Sequence, residues 1–208
     1  MVSIDGRILS DKHYHEWHID SAISDAVIAA RGCETIVNPR ALPPAFKDIQ
    51  RSPGILIPIR DVTGKIVAWQ LKPDDPRTDK NGRIIKYETA GRMCLDVPPS
   101  AMPYMRNPDA DLWITEGCKK VDSAVSHGIP CIIGLLGVDG WSSDGMALPD
   151  WKEIALRGRT VVLAFDSDVM TKDSVRGALN RLAKYLEMQQ ATVRYLILPD
   201  LAEVRGAK

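Results

Sequence analysis

The alternation that begins near Ala110 constrains this chain more than anything else in it. In order, "DLWITEG" reads as a strand, "CKKVDSAVSHG" as a helix with Val121, Ala124 and Val125 on one face, and "IPCIIGLLG" as a strand. "LPDWKEIALRG" then reads as a helix, "TVVLAFDSD" as a strand, "TKDSVRGALNRLAKYLEMQQ" as a long helix and "TVRYLILPD" as a last strand. Nearly continuous apolar strands separated by helices form a mostly parallel sheet with both faces covered, hence an open α/β unit. Ligands of such sheets bind where the strands end at their carboxyl edge. Both "ITEG" and "FDSD" fall there.

The first half follows a different grammar. Residues 11 to 32 carry Ile19, Ala22, Ile23, Ala26, Val27 and Ala30 at helical spacing, with Asp20 or Ser21 as cap and Gly32 as stop, which predicts a short amphipathic helix. Beyond the prolines at 39, 43 and 44, Ile55 to Asp61 and Lys65 to Lys72 read as two strands of a hairpin turning at Val62, Thr63 and Gly64. The Asn81-Gly82 turn signal is followed by a β-prone run from Arg83 to Glu88, and the proline-rich 96 to 110 reads as a connector. The expected organisation is a small α+β unit over 1–109 and an α/β domain over 110–208.

Composition narrows the class. Hydrophobic residues make up 45% and charged residues 26% of 208 positions, enough for a real core in one large or two small domains. Lysine plus arginine equals aspartate plus glutamate, 27 against 27, so no global field steers the protein toward nucleic acid, while a local basic groove stays open. Cys33, Cys94, Cys118 and Cys131 show neither a C-x-x-C pair nor zinc spacing and read as reduced structural thiols. No long apolar run or leader-like start is present, so a cytoplasmic location and no membrane contact are expected.

Glu116 ends the first strand of the α/β unit, and Asp166 and Asp168 end the third. Alternation along an extended chain sends Asp166 and Asp168 to the same side, and Glu116 joins them if the two strands are neighbours. Carboxylates that converge without a cation repel by several kcal/mol and raise each other's pKa, which a divalent ion relieves. Oxygen donors of this kind select Mg²⁺ or Mn²⁺. A lone D-x-D, however, also reads as a cap for the helix that begins near Thr171.

The two stretches "LWITEGCKKVDSAVSHGIPCIIGLLGVDGW" and "VVLAFDSDVMTKDSVRGALNRLAKYL" resemble the Toprim domain of bacterial-type DNA primases, topoisomerases and related nucleases. The resemblance is nearest to the version in phage, plasmid and other mobile-element primases, sometimes grouped as a domain of unknown function (DUF3854-like). It reaches upstream, because "GILIPIRDVTGKIVAWQLKPDDP" followed by "KYETAG" is similar to the small subdomain that precedes Toprim in primases. It implies a magnesium-dependent nucleotidyltransferase of DNA replication that makes primers from nucleoside triphosphates on single-stranded DNA, with a helicase domain or partner. A Toprim nuclease and a non-catalytic, DNA-binding docking module of a primase-helicase are the rivals.

By the same resemblance Glu116 is an acid, base or metal ligand near the reacting phosphate, and Asp166 and Asp168 are Mg²⁺ ligands. Arg60, Lys72, Lys86, Lys119 and Lys120 become the candidates for nucleotide or template phosphates. Two departures stand out: Cys118 occupies a position where several relatives carry an acid, and the sequence stops at "EVRGAK", before a Lys-Gly and paired-Asp segment that many relatives have. A fragment or a natural short form is the expectation. His13, His15 and His18 read as a surface cluster rather than a metal site. Trp69, Trp113 and Trp151 read as core, and Trp141, in the Gly-rich loop, as a candidate stacking residue.

Overall fold

The computed structural model describes residues 2–4, 7–165 and 173–197. A two-stranded antiparallel pair, β1 (Val2–Ile4) and β2 (Arg7–Leu9), leads into α1 (Asp11–Tyr14), whose N-cap Ser10 accepts from the His13 amide. The helix predicted up to Gly32 starts later than expected, with Ser24 at its N-cap position instead of Asp20 or Ser21. His15–Asp20 winds as a π-helix, and α2 (Asp25–Arg31) starts afresh after Ser24 and stops, as expected, at Gly32 in the left-handed region. The wider turn seats Trp17 fully inside the core while Glu16, next to it, faces the start of another helix.

β3 (Glu34–Ile36), β4 (Gly54–Arg60), β5 (Ile66–Pro73) and β6 (Glu88–Gly91) form an antiparallel sheet in that order. The expected hairpin is β4 and β5, closed by Asp61, whose side chain accepts from the Thr63 and Lys65 amides. Alternation splits β4 between two cores. Ile55, Ile57 and Ile59 face Trp17, Ile23 and Ile28, while Leu56 packs with Ile36, Leu42 and Phe46. The expected strand at Arg83 to Glu88 is absent: Asp79 gathers the Asn81 and Arg83 amides into a tight turn, Ile84 makes a single bridge to Thr78, and β6 starts only at Glu88.

The second half is the parallel unit its alternation predicts. β7 (Leu112–Glu116), α3 (Cys118–Ser126), β8 (Ile132–Leu135), a small hairpin of β9 (Ser142–Ser143) and β10 (Met146–Ala147), β11 (Thr160–Phe165), α4 (Asp173–Met188) and β12 (Thr192–Ile197) follow one another. The sheet order is β12-β11-β7-β8, every pair parallel. Leu112, Ile114, Ile133, Leu135, Val161, Leu163 and Phe165 share one face with Leu179, Leu182, Ala183 and Leu186 of α4. Gly134 belongs to the other face, where an added Cβ would lie 3.0 Å from Val121 of α3. The two helices therefore cover opposite faces. "LPDWKEIALRG" forms only a 3-10 turn, Pro149–Glu153, because Trp151, Ile154 and Leu156 all enter the core, a spacing that one helical stripe does not offer.

The proline-rich stretch after β6 is packed rather than loose. Leu95, Val97, Ala101 and Met105 are buried in the core of the parallel sheet, and Asp96 bridges to Gly134 on its β8 edge. The fully buried Arg159 ties this stretch down by donating to the carbonyls of Tyr104, Met105, Ala110 and Ala155. Across the junction of the two sheets, Arg31 at the end of α2 donates to Asp122 of α3 through Nε and Nη2, at 2.7 to 3.0 Å, and to Asp96 Oδ1 through Nη1 at 2.6 Å. All three side chains are at most 1% exposed. No helix among the described residues is long and apolar enough to cross a membrane.

Candidate active site at the carboxyl edge of the parallel sheet

Glu116 is the last residue of β7, half-buried, and Gly117 follows it at φ 86°, a left-handed turn that glycine adopts without strain. Gly117 donates to Leu135 O, which fixes the strand end against β8, and α3 starts at once. The helix begins with no side chain capping its first turn, so its amide dipoles present positive potential beside the Glu116 strand end. Glu116 has no cationic partner among the described residues.

Convergence of the three acids requires the first and third strands of this sheet to be neighbours, and they are. Leu112 pairs with Val161 and Ile114 with Leu163 in the parallel ladder of β7 and β11. β11 ends at Phe165, and Asp166 and Asp168 come next in the chain, outside the described residues. Among the described residues no group of three His, Cys, Asp or Glu side chains is placed to hold a metal ion.

Cys118, where the resemblance leads one to expect an acid, points the other way. It is buried among the residues of the antiparallel sheet, with Sγ 3.6 Å from Gln70 Oε1, and burial pushes its thiol up to about 12. An acid here would enter the core instead of the edge.

The five basic candidates are placed differently from one another. Lys72 of β5 and Lys119 in the first turn of α3 converge on one carboxylate oxygen, Glu16 Oε1, at 2.6 and 2.7 Å. Lys119 Nζ also lies 4.9 Å from the centre of the Trp17 ring. Burial pushes the Glu16 carboxyl up, but Lys119 and Lys72 outweigh it and hold the group below the ordinary carboxylate range. Arg60 is half-buried and donates to Arg31 O at the end of α2. Lys86 is exposed, ahead of β6, and Lys120 is half-buried on α3.

The histidines and Trp141 depart from what their spacing suggests. His13 is buried, between Thr35 Oγ1 at 2.8 Å and Asp74 Oδ1 at 3.0 Å, whereas His15 faces Asp20 and His18 bonds Ile23 O. The three histidines thus serve separate contacts and form no surface cluster. Trp141 packs its ring 5.3 Å from Tyr185 of α4 and accepts on its carbonyl from Trp151 Nε1, so it anchors the loop after β8. The Glu16 contact and the Arg31 cluster were not found from sequence. Their partners are 103 and 91 positions away, and no local pattern marks them.

Solved structures that share this fold include DNA primases. The Aquifex aeolicus primase, in a structure of its zinc-binding and RNA polymerase domains, aligns with 94% of this chain and 52% of its own at a TM-score of 0.65 and 16% identity. A DnaG catalytic core aligns with 94% of this chain and 68% of its own at 0.60 and 18%. A DnaG primase catalytic domain bound to ssDNA aligns with 93% and 69% at 0.58 and 19%. The fold is that of DnaG-type primase catalytic cores, and the chain spans about half of the Aquifex aeolicus chain. A family model described as a domain of unknown function (DUF3854) matches residues 103–207, and the chain belongs to that family. No curated protein matches it.

Proposed function

We propose that this chain is the catalytic core of a primase of the phage, plasmid or mobile-element kind, joining nucleoside triphosphates on a single-stranded DNA template in the cytoplasm. A helicase, as partner or attached domain, would supply that template. The observation that carries the reading is the pairing of β7 with β11, which sets the strand end bearing Glu116 beside the strand that runs on into Asp166 and Asp168.

The donor set fits a hard divalent cation. Glu116 is a half-buried carboxylate without a cationic partner among the described residues, and the two aspartates add further oxygen ligands. Glu116, Asp166 and Asp168 would hold Mg²⁺ or Mn²⁺, which supplies charge neutralisation at the attacking and leaving oxygens of phosphoryl transfer. Glu116, fixed by the Gly117 turn, would serve either as such a ligand or as the acid or base at the reacting hydroxyl. Lys86 and Arg60 position template or nucleotide phosphates from the small unit.

The test is incubation with labelled single-stranded DNA and Mg²⁺, with and without nucleotides. Extension products are expected only with nucleotides, and Glu116→Gln and Asp166→Asn should each lower their yield at least about a hundredfold with the circular dichroism unchanged. Cleavage in the absence of nucleotides would make the protein a nuclease. Template binding that survives both substitutions but is lost in Lys86→Ala, with no synthesis by wild type, would make it a docking module.

A further inference from the structure

Away from the strand ends, one carboxylate is shared by two ammonium groups drawn from distant segments. Glu16 lies on the π-helical turn, Lys72 near the end of β5 and Lys119 in the first turn of α3, three residues beyond Glu116. Their side chains are 18%, 33% and 24% exposed, so the cluster is recessed yet open to solvent. One negative charge faces two positive ones, and both ammonium groups donate to the same oxygen. A surface ion pair gains little from such an arrangement, because holding two long lysine side chains costs rotamer entropy. Trp17, fully buried beneath Lys119, nevertheless fixes one of them.

Two converging ammonium groups at about 2.7 Å from a common oxygen match the oxygen of a phosphate group, which carries the charge that a single carboxylate leaves uncompensated. The uncapped first turn of α3, to which Lys119 belongs, adds positive potential at the same place. The π-turn is the device that aims Glu16 here while its neighbour Trp17 stays in the core, and such turns are rare overall but frequent at functional sites.

We propose that Lys72 and Lys119 form a phosphate-binding pair that Glu16 occupies as an internal stand-in, to be displaced by a phosphate of an oligonucleotide or of a nucleoside triphosphate. This rests on the reading of the chain as a nucleic-acid enzyme and adds its regulation: the pair engages phosphate only at the expense of the Glu16 contact, so Glu16 sets a threshold for binding.

The test is fluorescence anisotropy at low salt with two probes, a labelled oligothymidylate and a fluorescent nucleoside triphosphate, on wild type, Glu16→Gln and the triple variant Glu16→Gln, Lys72→Gln, Lys119→Gln. Glu16→Gln should tighten at least one probe by about five- to tenfold, and the triple variant should lose that gain. The probe that responds identifies the source of the phosphate. For the oligonucleotide, the log–log salt slope should steepen by about 0.7 for each phosphate newly engaged. If wild type binds a probe and Glu16→Gln leaves both affinities unchanged or weaker, the stand-in is refuted and the nucleic-acid reading stands. If wild type binds neither probe, both fall. A measurement on wild type needs no substitution: with ¹³C-labelled glutamate, saturation by the responding probe should move the Glu16 carboxyl titration upward as the lysines leave it. An unmoved titration refutes the displacement.

Discussion

Asp122→Asn turns the buried cluster at Arg31 from one guanidinium facing two carboxylates into one facing one. Burial raises the Asp122 carboxyl from its ordinary 3.8 to about 6, against the pull of Arg31 and with Asp96 adding to the rise. Burial also works against the Arg31 charge, but Asp122 and Asp96 outweigh it, so the guanidinium stays charged throughout. Folded wild type therefore keeps a proton on Asp122 that the unfolded chain has already released between these two values. That contribution to stability is fully present below pH 3.8 and is lost as pH rises through about 6. At about 1.4 kcal/mol for each pH unit, the loss is about 3 kcal/mol. The amide of the variant cannot titrate, so its stability relative to wild type should climb by that amount from about pH 4 to about pH 6 and then level. Urea melts followed by tryptophan fluorescence across that range measure the difference directly. A relative stability that stays flat, or falls as pH rises, would mean that Asp122 is an ordinary salt-bridged carboxylate and that the charge count of the cluster is wrong. Arg31→Met is the contrasting change, since it strands Asp96 and Asp122 together and should cost about 3–5 kcal/mol at neutral pH.

Arg159→Met strips the donors from the carbonyls of Tyr104, Met105, Ala110 and Ala155 while roughly filling the space. At about 1 kcal/mol for each lost contact, the cost is about 4 kcal/mol, seen as a fall in Tm of about 8–16 °C; a fall under about 2 °C would show that water replaces the side chain without penalty. The thiols of Cys33, Cys94, Cys118 and Cys131 are all buried, and burial pushes both Cys94 and Cys118 up to about 12. A thiol-disulfide colorimetric reagent at pH 8 should therefore find essentially none in the native protein and all of them after denaturation; rapid native reaction would contradict the packing of the core that holds the thiol, that of the parallel sheet for Cys131 and that of the antiparallel sheet for the other three.

What the sequence made legible follows from how local each cause is. Strands β4, β5, β7, β8, β11 and β12 were readable because apolar runs bounded by Gly, Pro and Asp need no distant partner to be recognised, and Gly32 announced its helix end by backbone freedom alone. The parallel order could be anticipated only through resemblance, since the neighbourhood of β7 and β11 is a matter of register between strands about fifty positions apart. Where the residues that a core takes up do not follow one helical stripe, the periodic reading failed. The helix expected from Asp20 or Ser21 begins only at Asp25, after a π-turn that seats Trp17 inside, and the run from Pro149 remained a 3-10 turn because Trp151, Ile154 and Leu156 are all claimed by the parallel sheet.

The same reason governs the charges. A lysine on β5 and a lysine on a helix start looked like independent phosphate candidates, and nothing in the local sequence marked Arg31. In the folded chain Lys72 and Lys119 close on Glu16, and Arg31 is sealed between Asp96 and Asp122. Both clusters lie where the antiparallel sheet meets α3, one recessed but open and the other fully dry. A dry cluster resists separation, because either half taken alone would bury or expose unpaired charge, so the two sheets are held in one arrangement. An open cluster can exchange its internal carboxylate for an outside anion at little cost in solvation. The junction thus has one set of charges suited to fixing the small unit on the parallel sheet and another suited to exchanging its carboxylate for an incoming anion.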